Sequence, residues 1–103
     1  MKTNDKQVEE VRTYLNELLA LLEGEKEGNW SRGIRAACHE LVSSEACIAE
    51  AGFENARSIF NTMMAGGRGF AEYYVWVEDE GERMRRNKAL DELRRKIWEI
   101  FNS

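Results

Sequence analysis

A chain of 103 residues, 43% hydrophobic and 33% charged, has room for one domain around one core and is too apolar for disorder. Its net charge of −4 disfavours non-specific nucleic-acid binding and favours a basic partner. Two cysteines are too few for a disulfide framework, and the longest apolar run, Leu18–Leu22, is far short of the ~20 residues a membrane span needs. Met1–Glu10 is polar, with no apolar region after a basic start. The expected location is therefore the cytoplasm, with Cys38 and Cys47 reduced and packed as small apolar residues.

The periodicity predicts an all-α single-domain bundle of about four helices over residues 1–103. The first helix is expected from about Asp5 to Glu23, capped by Asn4 or Asp5 and closed by Gly24. Val8, Val11, Leu15, Leu18, Leu19 and Leu22 repeat at the 3.6-residue period and form one stripe, widened by Tyr14 and Leu21. The polar linker Gly24–Asn29 is short enough to return the chain antiparallel. A second helix is expected over roughly Trp30–Val42, with Asn29 as its cap and Trp30, Ile34, Ala37 and Leu41 as its stripe. Gly33 marks either a close helix approach or a frayed start. Ser44 caps a short turn, Ala46–Ala51, which Gly52 is expected to stop. The third helix then covers about Phe53–Met64, with Phe53, Ala56, Phe60, Met63 and Met64 facing the core.

Helical spacing ends at Ala65–Val77. Gly66, Gly67 and Gly69 permit a sharp reversal, and Tyr73-Tyr74-Val75-Trp76-Val77 has strand-type composition without a second strand to pair with. The expectation is a glycine-rich turn followed by an extended or short helical segment laid across the bundle, with Phe70, Tyr74 and Trp76 inward. Whether residues 70–77 are core or interface stays open. Glu78–Glu82 reads as an exposed acidic turn, and the last helix is expected over about Glu82–Phe101, with Leu90, Leu93, Ile97, Ile100 and Phe101 as its stripe. Charge separates the two ends of this region. Residues 66–82 carry one arginine against five acids, and residues 83–103 carry seven Lys/Arg against three acids.

Several chemistries fail on spacing. Gly66-Gly67-Arg68-Gly69 lacks the Lys-Ser/Thr of a phosphate loop, and Glu72 stands where a dinucleotide fingerprint needs a small residue. His39 is the only histidine, and Ser43 takes the place of the second zinc ligand after His39-Glu40. Trp76 would be the first ligand of a calcium loop centred on Gly81, which excludes one. The expectation is no enzyme, no metal and no cofactor.

The pieces Ala65-Gly66-Gly67-Arg68-Gly69-Phe70 and Asn87-Lys88-Ala89-Leu90-Asp91-Glu92-Leu93-Arg94 resemble a small bacterial helical domain family of unknown function. That family has a Gly-Gly-x-Gly-Phe-like turn followed by an Asn-x-x-Leu-Asp-x-Leu-Arg helix. The similarity spans about residues 57–101. It implies an α-helical bacterial protein and supplies no catalytic residues.

The leading functional expectation is a small acidic protein-binding module, most specifically an immunity- or antitoxin-like inhibitor of a basic toxin domain. Arg68, Glu72, Tyr73, Tyr74, Trp76, Glu78, Asp79, Glu80 and Glu82 are its candidate partner-binding residues, because aromatic anchors with a charged rim are the composition of interfaces. A self-associating structural helical protein, such as a homodimer, is the second reading. A small-ligand or anion binder, or an enzyme using the Gly66–Gly69 turn with Arg68, is the third. Binding to nucleic acid through Arg83, Arg85, Arg86 and Lys88 is disfavoured by the adjoining acids.

Overall fold

The structure is a computed structural model that describes residues 5–25, 28–41, 46–65 and 69–103. The expected caps Asn4 and Ser44, and the turn residues Gly66, Gly67 and Arg68, lie outside the described residues.

The apolar stripes become four α-helices: α1 (Asp5–Gly24), α2 (Gly28–Glu40), α3 (Ala46–Met64) and α4 (Glu80–Phe101). In α1 the predicted stripe goes inward as expected. Val11, Leu15, Leu18 and Leu22 are completely buried, while Glu9, Glu10, Asn16 and Glu17 face water. Ile34, Ala37 and Leu41 line the matching face of α2. Asn29 is inside that helix, which starts at Gly28, and so is not its cap.

α1 packs between α2 and α4, and α2 packs against α3. The direct contact of α3 with α4 is concentrated at the C-terminal end of α4. There Phe101 meets Phe53 edge-on, with ring centroids 5.2 Å apart, and Phe60 at 5.8 Å. Asn61 and Asn102 exchange amide hydrogen bonds of 2.9 and 3.1 Å at the same end. The molecule measures 47 × 25 × 23 Å along its principal axes. Among the described residues there is no strand and no helix long and apolar enough to cross a membrane.

Two boundaries differ from the sequence reading. Gly52 does not stop a helix, since α3 runs unbroken from Ala46 to Met64 through it. A Cβ at Gly52 would lie 2.1 Å from the Glu40 carbonyl oxygen, so the glycine admits the end of α2 against α3. The helical glycine cost of ~1 kcal/mol is accepted for that close approach. Gly33 also resolves as a contact position, because its missing Cβ makes room for the Met63 thioether.

The second difference is the acidic stretch. Residues Glu80–Glu82 are the first turn of α4 rather than an exposed loop, because Asp79 caps the helix by accepting from the Gly81 N–H at 3.2 Å. Acids at a helix N-terminus also complement its dipole.

Candidate protein-interaction site

Between α3 and α4 the chain makes a single 3-10 turn, Phe70–Glu72, and then runs without regular structure to Asp79. Gly69 enters the turn with φ −81° and ψ 179°. Glycine is needed there for space, since a Cβ would sit 2.3 Å from the Ala65 carbonyl oxygen. Tyr73 leaves the turn in extended geometry, φ −74° and ψ 133°.

An extended segment without a neighbouring strand must find other partners for its backbone. Here α4 supplies them from side chains. Arg94 is 97% removed from solvent (3% exposed) and donates from Nη1 to the carbonyl oxygens of Phe70 and Tyr73, the latter at 2.9 Å. Its Nη2 pairs with Asp91 Oδ1 at 2.6 Å. Asn87 takes both backbone groups of Val75. Its Oδ1 accepts from the Val75 N–H at 2.7 Å, and its Nδ2 donates to the Val75 carbonyl at 3.1 Å. Arg83 donates to the Val77 carbonyl at 3.2 Å. Arg83, Asn87, Leu90 and Arg94 recur three or four residues apart, so they share one face of α4. Leu90 enters the core, and the other three hold the segment antiparallel to the helix.

The segment alternates with period two, as an extended chain must. Val75 is buried, Tyr73 and Val77 are half-buried, and Tyr74 and Trp76 stand 53% and 75% exposed. The expectation that Tyr74 and Trp76 point inward with Phe70 is therefore corrected. Phe70 is fully buried, 5.5 Å from the Trp30 ring, but the 3-10 turn that it opens resets the phase so that Val75 is the residue entering the core. Tyr73 stacks on Phe70 at 6.1 Å. The two outward rings lie over arginines of α4. Arg94 is 5.0 Å from the Tyr74 centroid, and Arg83 is 4.4 Å from that of Trp76.

The acids around this strip fall into two groups. Glu72, Glu78, Asp79 and Glu80 are exposed, and none of them forms an ion pair among the described residues. Glu82 is partly covered and committed. It pairs with Arg86 at 2.9 Å and also with Arg85, while Arg86 reaches across to Glu25 at 2.6 Å. The hydrogen bond from Arg86, followed by the charges of Arg85 and Arg86, holds the Glu82 carboxyl below its usual range against the opposing effect of burial. Of the candidate partner-binding residues, the structure gathers Glu72, Tyr74, Trp76, Glu78, Asp79 and Glu80 on the surface. It turns Tyr73 and Glu82 toward the chain, and Arg68 lies outside the described residues.

Beside the strip, the end of α3, the 3-10 turn and α4 enclose an open groove of about 420 Å³ lined by Met64, Ala71, Asp91, Arg94, Arg95 and Trp98. Trp98 is 42% exposed there, and Met84 is 66% exposed further along α4. No group of three His, Cys, Asp or Glu residues among the described ones can hold a metal. His39 is exposed. Cys38 is half-buried, and burial pushes its thiol up from the ordinary range, partly opposed by Arg12, so it is a poor nucleophile at neutral pH.

No protein-family model matches this chain, and neither a curated protein nor a solved structure matches it.

Sequence reasoning passed over Asn87 and Arg94 as site-shaping residues. A signal was present for Arg94. It lies four residues after Leu90 and three before Ile97, so a charge occupies the apolar stripe. A charge at such a position is buried only when paired and hydrogen-bonded. Asn87 had no such signal, because an amide on a helix surface is usually solvated.

Proposed function

We propose that this chain is a small acidic protein-binding module, most specifically an immunity- or antitoxin-like inhibitor of bacterial origin acting in the cytoplasm on a basic partner such as a toxin domain. The observation that carries the reading is the exposure of Tyr74 and Trp76 on a segment whose backbone is pinned to α4. Large aromatic side chains dominate interface energetics. A segment ordered before binding loses little further freedom on docking. Glu72, Glu78, Asp79 and Glu80 surround the two rings with unpaired negative charge, which accelerates encounter with a basic surface and selects against acidic ones.

The test begins with capture of partners from the source lysate on immobilised chain, followed by titration of the captured protein against variants. Trp76→Ala and the triple charge reversal Glu72→Lys, Glu78→Lys, Glu80→Lys are each expected to weaken binding by about tenfold or more. Asp79 is left intact because it caps α4. Unchanged affinity in both variants, or capture of acidic partners only, removes the reading. A basic toxin-domain reading frame immediately upstream of the gene supports the immunity form of it.

A second reading, self-association, is favoured by Met84 and Trp98, apolar side chains exposed on α4. Light scattering at micromolar concentration decides it, and a strict monomer removes it.

A further inference from the structure

The three α4 side chains that hold the segment all bind the same edge of it. In an extended chain the N–H and C=O of alternate residues point to opposite edges. The groups taken up by α4 belong to Tyr73, Val75 and Val77. Those of Tyr74 and Trp76 point the other way, and no group among the described residues hydrogen-bonds to them. Asn87 satisfies Val75 much as a neighbouring strand would, so the segment behaves as a sheet edge with one side closed and one side open. The rings of Tyr74 and Trp76 lie on the α4 side, over Arg94 and Arg83.

We propose that the open edge of residues 73–77 docks its partner by strand addition, with an extended basic segment of the partner pairing through the N–H and C=O groups of Tyr74 and Trp76. This rests on the protein-binding reading above and specifies how it works. Backbone pairing supplies the affinity in such complexes, and alternate side chains supply selectivity. The occupant is basic because the edge is bracketed by acids, Glu72 before it and Glu78, Asp79 and Glu80 after it, none of them ion-paired. A second copy of this chain is a poor occupant. Antiparallel self-pairing centred on Val75 would set Glu72 against Glu78 at both ends, and like charges placed opposite each other destabilise a pair.

The probe is a synthetic peptide of alternating Lys and Val residues, compared with the same peptide N-methylated at every residue, so that both of its edges are blocked. Methylation removes donors and blocks pairing while leaving the charge in place. In the free chain, amide exchange at Tyr74 and Trp76 is expected to be fast, and at Val75, bonded to Asn87, slow. Saturation with the unmethylated peptide is expected to slow exchange at Tyr74 and Trp76 by about tenfold or more, and the methylated peptide to bind about tenfold more weakly. Trp76→Pro, which removes the N–H as well as the ring, is expected to bind more weakly than Trp76→Ala, with both variants keeping the helical circular dichroism of the parent.

Equal binding of the two peptides, or binding without protection of Tyr74 and Trp76, overturns strand addition. The surface reading still stands in that case if Trp76→Ala and the charge reversals weaken capture of the natural partner. Failure of the unmethylated peptide to bind also overturns strand addition by a basic segment. A dimer with Tyr74 and Trp76 already protected in the free chain overturns it in favour of self-pairing.

Discussion

Helix α3 and the segment 69–77 are consecutive in the chain, yet opposite kinds of interaction hold them in place. α3 satisfies its own backbone and is fixed by what it buries: Phe53, Ala56 and Phe60 are within the core, and Phe60 is completely enclosed. The segment buries Phe70 and Val75, and its remaining order comes from polar side chains of α4 gripping its carbonyls and one amide. The difference teaches that an irregular stretch can be as well placed as a helix when a neighbouring helix takes over the work of a missing strand. It also leaves the main-chain groups of Tyr74 and Trp76 without a hydrogen bond among the described residues, and both rings exposed. A helix face cannot do this, because its backbone groups are already paired.

The contrast can be broken or sharpened by mutation. The largest effect belongs to the apolar side. Phe60→Ala is expected to cost about 3–5 kcal/mol, through lost burial and a cavity beneath Phe101, and to be read in denaturant unfolding as a loss from the whole molecule. Next comes Arg94→Met, which keeps the stem volume but leaves the Phe70 and Tyr73 carbonyls without this donor. An expected loss of about 2–4 kcal/mol follows from taking this donor from the buried Phe70 carbonyl and the part-buried Tyr73 carbonyl. Amide exchange should then quicken in residues 70–77 before it does in α1. A loss below about 1 kcal/mol would mean that apolar contacts hold both regions, and the contrast would fail.

Asn87→Asp is a finer probe. Its carboxylate can still accept from the Val75 N–H, but the other oxygen faces the Val75 carbonyl. About 1–3 kcal/mol should be lost at neutral pH. The introduced carboxyl is expected to have a raised folded-state pKa, because only the protonated form can donate to that carbonyl. The sign is therefore that stability is regained as pH falls through the folded pKa and lost as it rises. A melting temperature that falls steadily on acidification would contradict this.

The smallest effect is at the surface. Glu82 is held below its usual range by Arg86 and then Arg85, so its contribution is present above its unfolded pKa and lost as pH falls through the lower folded one. Glu82→Gln should lower the melting temperature slightly at neutral pH, and the gap from the parent should close in acid and in high salt. A gap unaffected by pH or salt would assign the effect to packing instead.

Much of the fold is legible in the sequence. The stripes of α1 and α2 were read nearly residue for residue, because a buried helix face has to repeat at 3.6 residues and little else produces that pattern. The expectation of an extended or short helical segment without a partner strand left the course open: the chain makes a 3-10 turn and then an extended stretch that runs antiparallel to α4. Its phase was not legible. Tyr73, Tyr74, Val75, Trp76 and Val77 are all large and apolar enough to bury, so composition gives no alternation to read. The inward residue depends on where the 3-10 turn ends. The role of Gly52 is hidden for a related reason: a glycine that ends a helix and one that lets another helix approach look identical in one dimension.

The sequence by itself determined a four-helix all-α bundle, most of the helix residues that fill its core and the concentration of acids around the start of α4, since each follows from local pattern and charge. Only the tertiary structure decided that Val75 goes in while Tyr74 and Trp76 stay out, and that Asn87 and Arg94 bind the segment's backbone. Those outcomes depend on the distance and direction between α4 and a stretch up to twenty-four residues before it. The hydrogen bonds involved run from side chain to main chain, and main-chain groups are the same whatever the residue.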